Sequence, residues 1–111
     1  MKNLKNNFTT PEQSNRLLEL GVPADSADCY YSQTCRTIVI VDEQIYKKKF
    51  YEVIPPIWSV GRLMEICKIC EPKKDYEQLC EELQYSQNYC VVIISHIIAN
   101  LPIIDFSKLE D

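Results

Sequence analysis

Two adjacent prolines and the chain's single tryptophan, in the run Ile54-Pro55-Pro56-Ile57-Trp58-Ser59-Val60-Gly61-Arg62-Leu63-Met64-Glu65-Ile66, constrain the fold more than any other stretch. The prolines fix φ and withhold two N–H donors, so a strand arriving from Tyr51 and Val53 ends there and no helix begins before about Trp58. Ser59 is then the natural N-cap, its hydroxyl placed to accept an N–H of the first turn. Leu63, Ile66, Cys67 and Cys70 follow at three- and four-residue steps and make one apolar helical face. Trp58 is expected at that boundary with its ring buried and its indole N–H bonded. Because a tryptophan buries roughly 150–250 Å², this corner is the expected packing centre. The competing expectation turns the same residues outward, which makes Pro55, Pro56, Trp58 and Arg62 the candidate interaction surface.

A chain of 111 residues supports one domain with a core of its own. At 46% hydrophobic and 25% charged residues, with two glycines and six prolines, it has a globular composition without long linkers. The expected division is a polar tail over residues 1–9, a single domain over 10–106 and a second polar tail over 107–111. Twelve basic against sixteen acidic residues give a net charge of −4, too acidic for affinity built on neutralising phosphates, so nucleic acid is disfavoured. The opening Met1-Lys2-Asn3-Leu4-Lys5-Asn6-Asn7 lacks the apolar run of a secretion signal, and the expected location is cytoplasmic. The longest apolar run, residues 89–101, is interrupted by Ser95, His96 and Asn100 and falls short of the roughly 20 apolar residues that cross a bilayer. It is expected in the core. Without a secretion signal, the six cysteines are expected as free thiols.

Along the chain, Thr10-Pro11-Glu12-Gln13 reads as a capping box with proline at the first helical position, and Leu20-Gly21-Val22-Pro23 reads as a Schellman stop. A helix over residues 11–20 follows, then a second short helix from Pro23 to about Tyr31, with Asp25 and Asp28 near its N-terminus. Thr37-Ile38-Val39-Ile40-Val41 is a β-branched run, and Ile45-Tyr46 with Phe50-Tyr51-Glu52-Val53 resumes strand-like composition, predicting a two-stranded antiparallel hairpin. Lys47-Lys48-Lys49 then decorates its exposed edge. After a break at Glu71-Pro72-Lys73-Lys74, Asp75 is placed to cap a helix with Tyr76, Leu79, Cys80 and Leu83 on one face. The segment Tyr89–Asn100 has strand-like composition, but its length selects a helix, apolar on nearly all sides and central in the domain. The expected class is α+β: a helix-rich single domain of four to five helices with a small antiparallel β-hairpin.

Four features carry potential chemistry. Cys67-Lys68-Ile69-Cys70 has the spacing of half a zinc site or of a redox pair. No second paired motif supplies the remaining ligands, and the pair lies two turns past Ser59 rather than at a helix N-terminus, so the expectation is core. Cys67 and Cys70 remain the metal alternative. His96, the only histidine, is expected as a hydrogen-bonded core residue, since nothing brings a particular cysteine to it or supplies an oxyanion hole. A small enzyme or metal protein using Cys67, Cys70 and His96 is the third reading, and no cofactor is expected. The helix, glycine turn and helix over residues 11–31 has the outline of a helix-turn-helix, which makes a DNA-binding regulator the competing class. Asp25 and Asp28, however, would stand where phosphates and base edges must be met.

Thr10-Pro11-Glu12-Gln13-Ser14, Arg16-Leu17-Leu18-Glu19-Leu20-Gly21-Val22-Pro23-Ala24-Asp25-Ser26-Ala27-Asp28, Trp58-Ser59-Val60-Gly61-Arg62-Leu63 and Asp105-Phe106-Ser107-Lys108-Leu109 resemble a group of small proteins of Bacteroides-type gut bacteria, often associated with prophages or conjugative elements. The blocks lie near the start, middle and end of the chain, so the resemblance implies a whole-length relative, while residues 33–52 and 71–88 carry little of it. The group brings no activity, so no residue inherits a catalytic role. The expected function is that of a non-catalytic accessory protein of a mobile element that binds another protein.

Overall fold

The computed structural model describes residues 7–32, 37–40 and 56–110. Among them four α-helices, α1 (Pro11–Glu19), α2 (Val60–Cys70), α3 (Lys73–Leu83) and α4 (Tyr89–Asn100), pack with a three-stranded antiparallel sheet of β1 (Cys29–Ser32), β2 (Thr37–Ile40) and β3 (Pro56–Ile57). This is the helix-rich α+β domain anticipated from composition and periodicity.

Helix α1 starts and stops where its local chemistry dictates. Thr10 Oγ1 accepts the Gln13 N–H at 3.1 Å while Gln13 Oε1 accepts the Thr10 N–H at 2.9 Å, a reciprocal box that satisfies two otherwise unpaired donors. At the other end Gly21 takes φ +100°, and the Val22 and Gly21 N–H groups reach back to the Leu17 and Leu18 carbonyls, each at 3.1 Å. That is the Schellman pairing, and buried Val22 joins Leu17 in the core as the motif's apolar contact.

The expected second helix does not form. Only Ala24–Ser26 makes a single 3-10 turn, Ala27 is extended at φ −68° and ψ 146°, and Cys29-Tyr30-Tyr31-Ser32 becomes the central strand. Tertiary demand overrides the local helix signal here. Ser26 and Asp28 are held by partners near residue 60, and the two tyrosines suit a strand paired on both sides. The second half of a helix-turn-helix is therefore absent.

Thr37–Ile40 is a strand as expected, and among the described residues it pairs antiparallel with β1, in the register Cys29↔Ile40 and Tyr31↔Ile38. The expected partner residues 45–46 and 50–53, and the lysine triplet, lie outside the described residues. On the other side of β1, Cys29 pairs with Ile57 and Tyr30 with Pro56. Pro56 thus stands in a strand, β3, at a position where the double proline was expected to bring strand structure to an end, and its missing N–H is tolerated because, among the described residues, β3 is an edge of the sheet.

Ser59 caps α2 as expected, its Oγ accepting the Arg62 N–H at 3.1 Å. Helix α3 begins earlier than expected: Pro72 is the N-cap, and Asp75 sits in the first turn as a complement to the helix dipole. Tyr89–Asn100 is a helix, capped by Asn88, with Cys90, Ile93, Ile94, His96 and Ile97 buried. It is not enclosed all round, because Val91 and Ile98 keep 48% and 43% of their surface exposed. No described helix is long and apolar enough to cross a membrane.

Leu17, Trp58, Leu63, Ile66, Leu79, Ile93 and Ile97 form the fully buried heart of the core, drawn from all four helices and the β3–α2 junction. Each aliphatic member contributes about 1.5–3 kcal/mol relative to an exposed position. Both expected tails contribute structure. Phe8 pairs with Ser59 across an isolated bridge, and Thr9 is buried. Phe106–Glu110 forms a 3-10 segment whose Phe106 and Leu109 pack on the core, tied down by the Asp105 N–H to the Cys70 carbonyl at 2.9 Å.

Candidate functional site

The residues singled out around Trp58 assemble into a hydrogen-bonded joint with the chain's N-terminal part. Trp58 is fully buried, and its indole Nε1–H donates to Ser26 Oγ at 3.1 Å. Its backbone N–H donates to Thr9 Oγ1 at 3.0 Å and its carbonyl accepts the Thr9 N–H at 2.9 Å, while Thr9 Oγ1 also meets Ser14 Oγ at 2.8 Å. One residue later, Ser59 donates its N–H and its hydroxyl to the Asp28 carboxylate, at 2.9 and 2.5 Å. Arg62 spans the same gap: its Nε–H donates to the Ser26 carbonyl at 2.6 Å and its guanidinium pairs with Glu65. Pro56 is buried with Trp58, Arg62 is half-buried, and Pro55 lies outside the described residues. The polar network explains why residues 23–31 leave the helical path: Ser26 and Asp28 serve the tryptophan and the α2 cap.

Cys67 and Cys70 both face the core, each 1% exposed. Burial pushes both thiols up, aided at Cys67 by the nearby Glu71 charge and at Cys70 by Asp105. A thiol raised in this way is a poor nucleophile, since the thiolate is the reactive form. Cys90, fully buried on α4, is pushed up to about 11 by burial. Among the described residues no three His, Cys, Asp or Glu side chains converge in a metal-binding arrangement.

His96 has a partner that sequence reasoning missed. Its Nε2 lies 2.9 Å from both Oε1 and Oε2 of Glu71, with the two side chains 3% and 0% exposed. Asn100 Nδ2 stands 3.3 Å from His96 Nδ1 and donates to the His96 carbonyl at 2.9 Å. Burial raises the Glu71 carboxyl above its ordinary range, opposed by the hydrogen bond and charge of His96. A lone histidine in an apolar run signals that some polar partner exists, but 25 residues of separation leave its identity unreadable.

The remaining candidate is on the surface. Val91 and Ile98, with Ser95 between them, recur at four- and three-residue steps along α4 and are exposed, leaving an apolar strip that flanks the buried face of the helix. Beside it runs a groove of about 230 Å³, walled by Glu12, Gln13 and Arg16 of α1 and by Val91, Ile94 and Ser95 of α4. A larger groove of about 450 Å³ lies at the sheet, lined by Phe8, Thr9, Pro11, Tyr31, Thr37, Ile38 and Ile57. The sequence carried a signal for the α4 stripe, namely a helix apolar on more than one side, but it was read as burial. Comparison of the chain with protein-family models, with curated proteins and with solved structures finds no match.

Proposed function

We propose that the protein is a non-catalytic interaction module that docks onto another protein through the outer face of α4 and the adjoining groove against α1. The observation that carries this reading is the exposure of Val91 and Ile98, seven residues apart on one side of a helix whose adjoining face is core. A branched apolar stripe with charged and polar residues along its rim, here Glu12, Gln13 and Arg16, suits an amphipathic element of a partner. The burial of Cys67, Cys70 and His96 supports a non-catalytic role, because none presents a reactive atom to an incoming substrate. The resemblance to proteins associated with prophages and conjugative elements supports an accessory role in such an element.

The test is affinity purification from the native host with the unaltered protein and with a Val91→Asp/Ile98→Asp variant, after circular dichroism has established that the variant is folded. A protein recovered by the first and lost with the second supports the assignment. Identical recovery by both places the interaction elsewhere, and recovery of nucleic acid in place of protein replaces this reading with the DNA-binding one.

A further inference from the structure

The end of the chain sits on α2 as a short peptide sits on a host. After α4, Leu101–Ile103 makes one 3-10 turn, and Phe106–Glu110 makes a second segment whose packing partner is α2. Ile104, Phe106 and Leu109 lie against the core, yet no residue from 101 to 109 is fully buried. Among the described residues, the hydrogen bond that ties residues 104–109 to the four α-helices is the Asp105 N–H to the Cys70 carbonyl, at 2.9 Å. The others are local. The Ile104 N–H reaches the Leu101 carbonyl and the Lys108 N–H the Asp105 carbonyl, each at 3.2 Å, while the Ser107 N–H and hydroxyl both donate to Asp105 Oδ1, at 3.1 and 2.5 Å. The bend of the segment is thus set by its own residues.

The surface beneath it offers what such a segment needs. Cys70 is the last residue of α2, so its carbonyl has no partner within the helix and is left for a donor outside it. Gly21, in the stop of α1, lets the Phe106 ring lie over bare backbone, where a Cβ would stand 3.9 Å from the ring. The Lys108 charge bears on Cys70, at the end of α2 where the helix dipole is negative. Asp105 bears there with the opposite sign, but its carboxylate is engaged with Ser107.

We infer that the face made by the last turn of α2 and the Gly21 stop is a peptide-docking site, filled in cis by the chain's own C-terminal segment and in trans by a segment of another protein with the same chemistry. That chemistry is an aliphatic residue, an aromatic one two positions on and a second aliphatic three further, as in Ile104, Phe106 and Leu109, with a cation just before the last, as in Lys108. A backbone N–H between the first two meets the Cys70 carbonyl. Release of the segment breaks that bond and uncovers side chains that are already partly exposed, so local opening suffices and the helices stay packed. Its tether gives the segment a high effective concentration, which an incoming peptide must outcompete. The face shares no residue with the groove between α1 and α4, so it is a second surface, independent of the one proposed above.

The test is NMR titration of the full chain with a synthetic peptide that carries the sequence of residues 101–110. In Phe106→Ala/Leu109→Ala, whose own segment has lost its anchors, the peptide should give saturable shifts at the Gly21 and Cys70 amides. The unaltered chain should need at least about tenfold more peptide, because its site is open only a small fraction of the time. The same peptide carrying Phe106→Ala should give no shifts. Absence of shifts in the folded variant, or equal affinity for the variant and the unaltered chain, overturns the inference. A concentration-dependent dimer of the unaltered chain that the double substitution abolishes makes the occupant a second copy and overturns its assignment to another protein. Should the variant fail to fold, hydrogen exchange in the unaltered protein decides: the Asp105 amide should exchange at least about tenfold faster than the Ile93 and Ile97 amides, and an equal degree of protection overturns the docking site.

Discussion

The indole Nε1–H of Trp58 donates to the hydroxyl of Ser26 across 32 residues of chain, and both residues are buried. Ser26→Ala leaves that N–H without an acceptor in a site closed to water. The expected loss is about 1–3 kcal/mol, read as a lower denaturant midpoint at unchanged slope. Trp58→Ala removes the ring as well and should cost about 3–5 kcal/mol, enough to unfold many small domains. The native protein should show blue-shifted tryptophan emission. A folded Trp58→Ala protein of native stability would remove Trp58 from the centre of the core.

Gly21 adopts φ +100°, and a Cβ placed there would meet only the Phe106 ring, at 3.9 Å. The space is adequate, so the penalty for Gly21→Ala comes from the left-handed backbone alone, about 1 kcal/mol. An unchanged midpoint in chemical denaturation would contradict the Schellman stop.

Which parts of this fold were legible depends on how far each determinant reaches along the chain. The α1 box at Thr10 and Gln13, its stop at Gly21 and the Ser59 cap of α2 are settled by residues within four or five positions of one another, and each was readable. The run from Pro23 to Tyr31 departs from the expected helix because its conformation is set from elsewhere: Ser26 by Trp58, Asp28 by Ser59, and Cys29 by strand partners on both sides. The Glu71 partner of His96 has the same origin. The α4 stripe was hidden for another reason: apolar residues on the outside and inside of one helix give the same periodicity as a helix fully enclosed.

Cys67 and Cys70 should react slowly with a thiol reagent in the native protein, at rates limited by opening of the fold, and rapidly once it is denatured. Rapid native labelling of either, located by mass spectrometry of peptides, would show that the α2 to α4 packing is open at this point. One equivalent of zinc per chain in the purified protein would replace the core assignment with a metal site.

Cys90 is held in its neutral form by burial up to about pH 11, against an ordinary thiol value of 9.0. The folded state therefore retains a proton that the unfolded chain loses first. The stability tied to Cys90 is complete below pH 9.0 and disappears as pH rises toward 11. Alkaline titration followed by circular dichroism should show unfolding in that window, shifted to higher pH in Cys90→Ala when each protein is compared with its own neutral-pH stability. Equal alkaline profiles for the two proteins would assign the transition to another group.

The bonds that meet at Trp58 have a kinetic consequence. Helices α2, α3 and α4 follow one another with short connections and can associate soon after the chain collapses, whereas the Thr9 and Ser26 contacts to Trp58 close loops of 49 and 32 residues. Closing such loops requires giving up chain entropy before any contact compensates. The three C-terminal helices are thus the early part of the molecule, and the closure of α1 and β1 onto the tryptophan is the late step. Substitutions at Thr9, Ser26 or Asp28 should then accelerate unfolding while leaving the folding rate nearly unchanged.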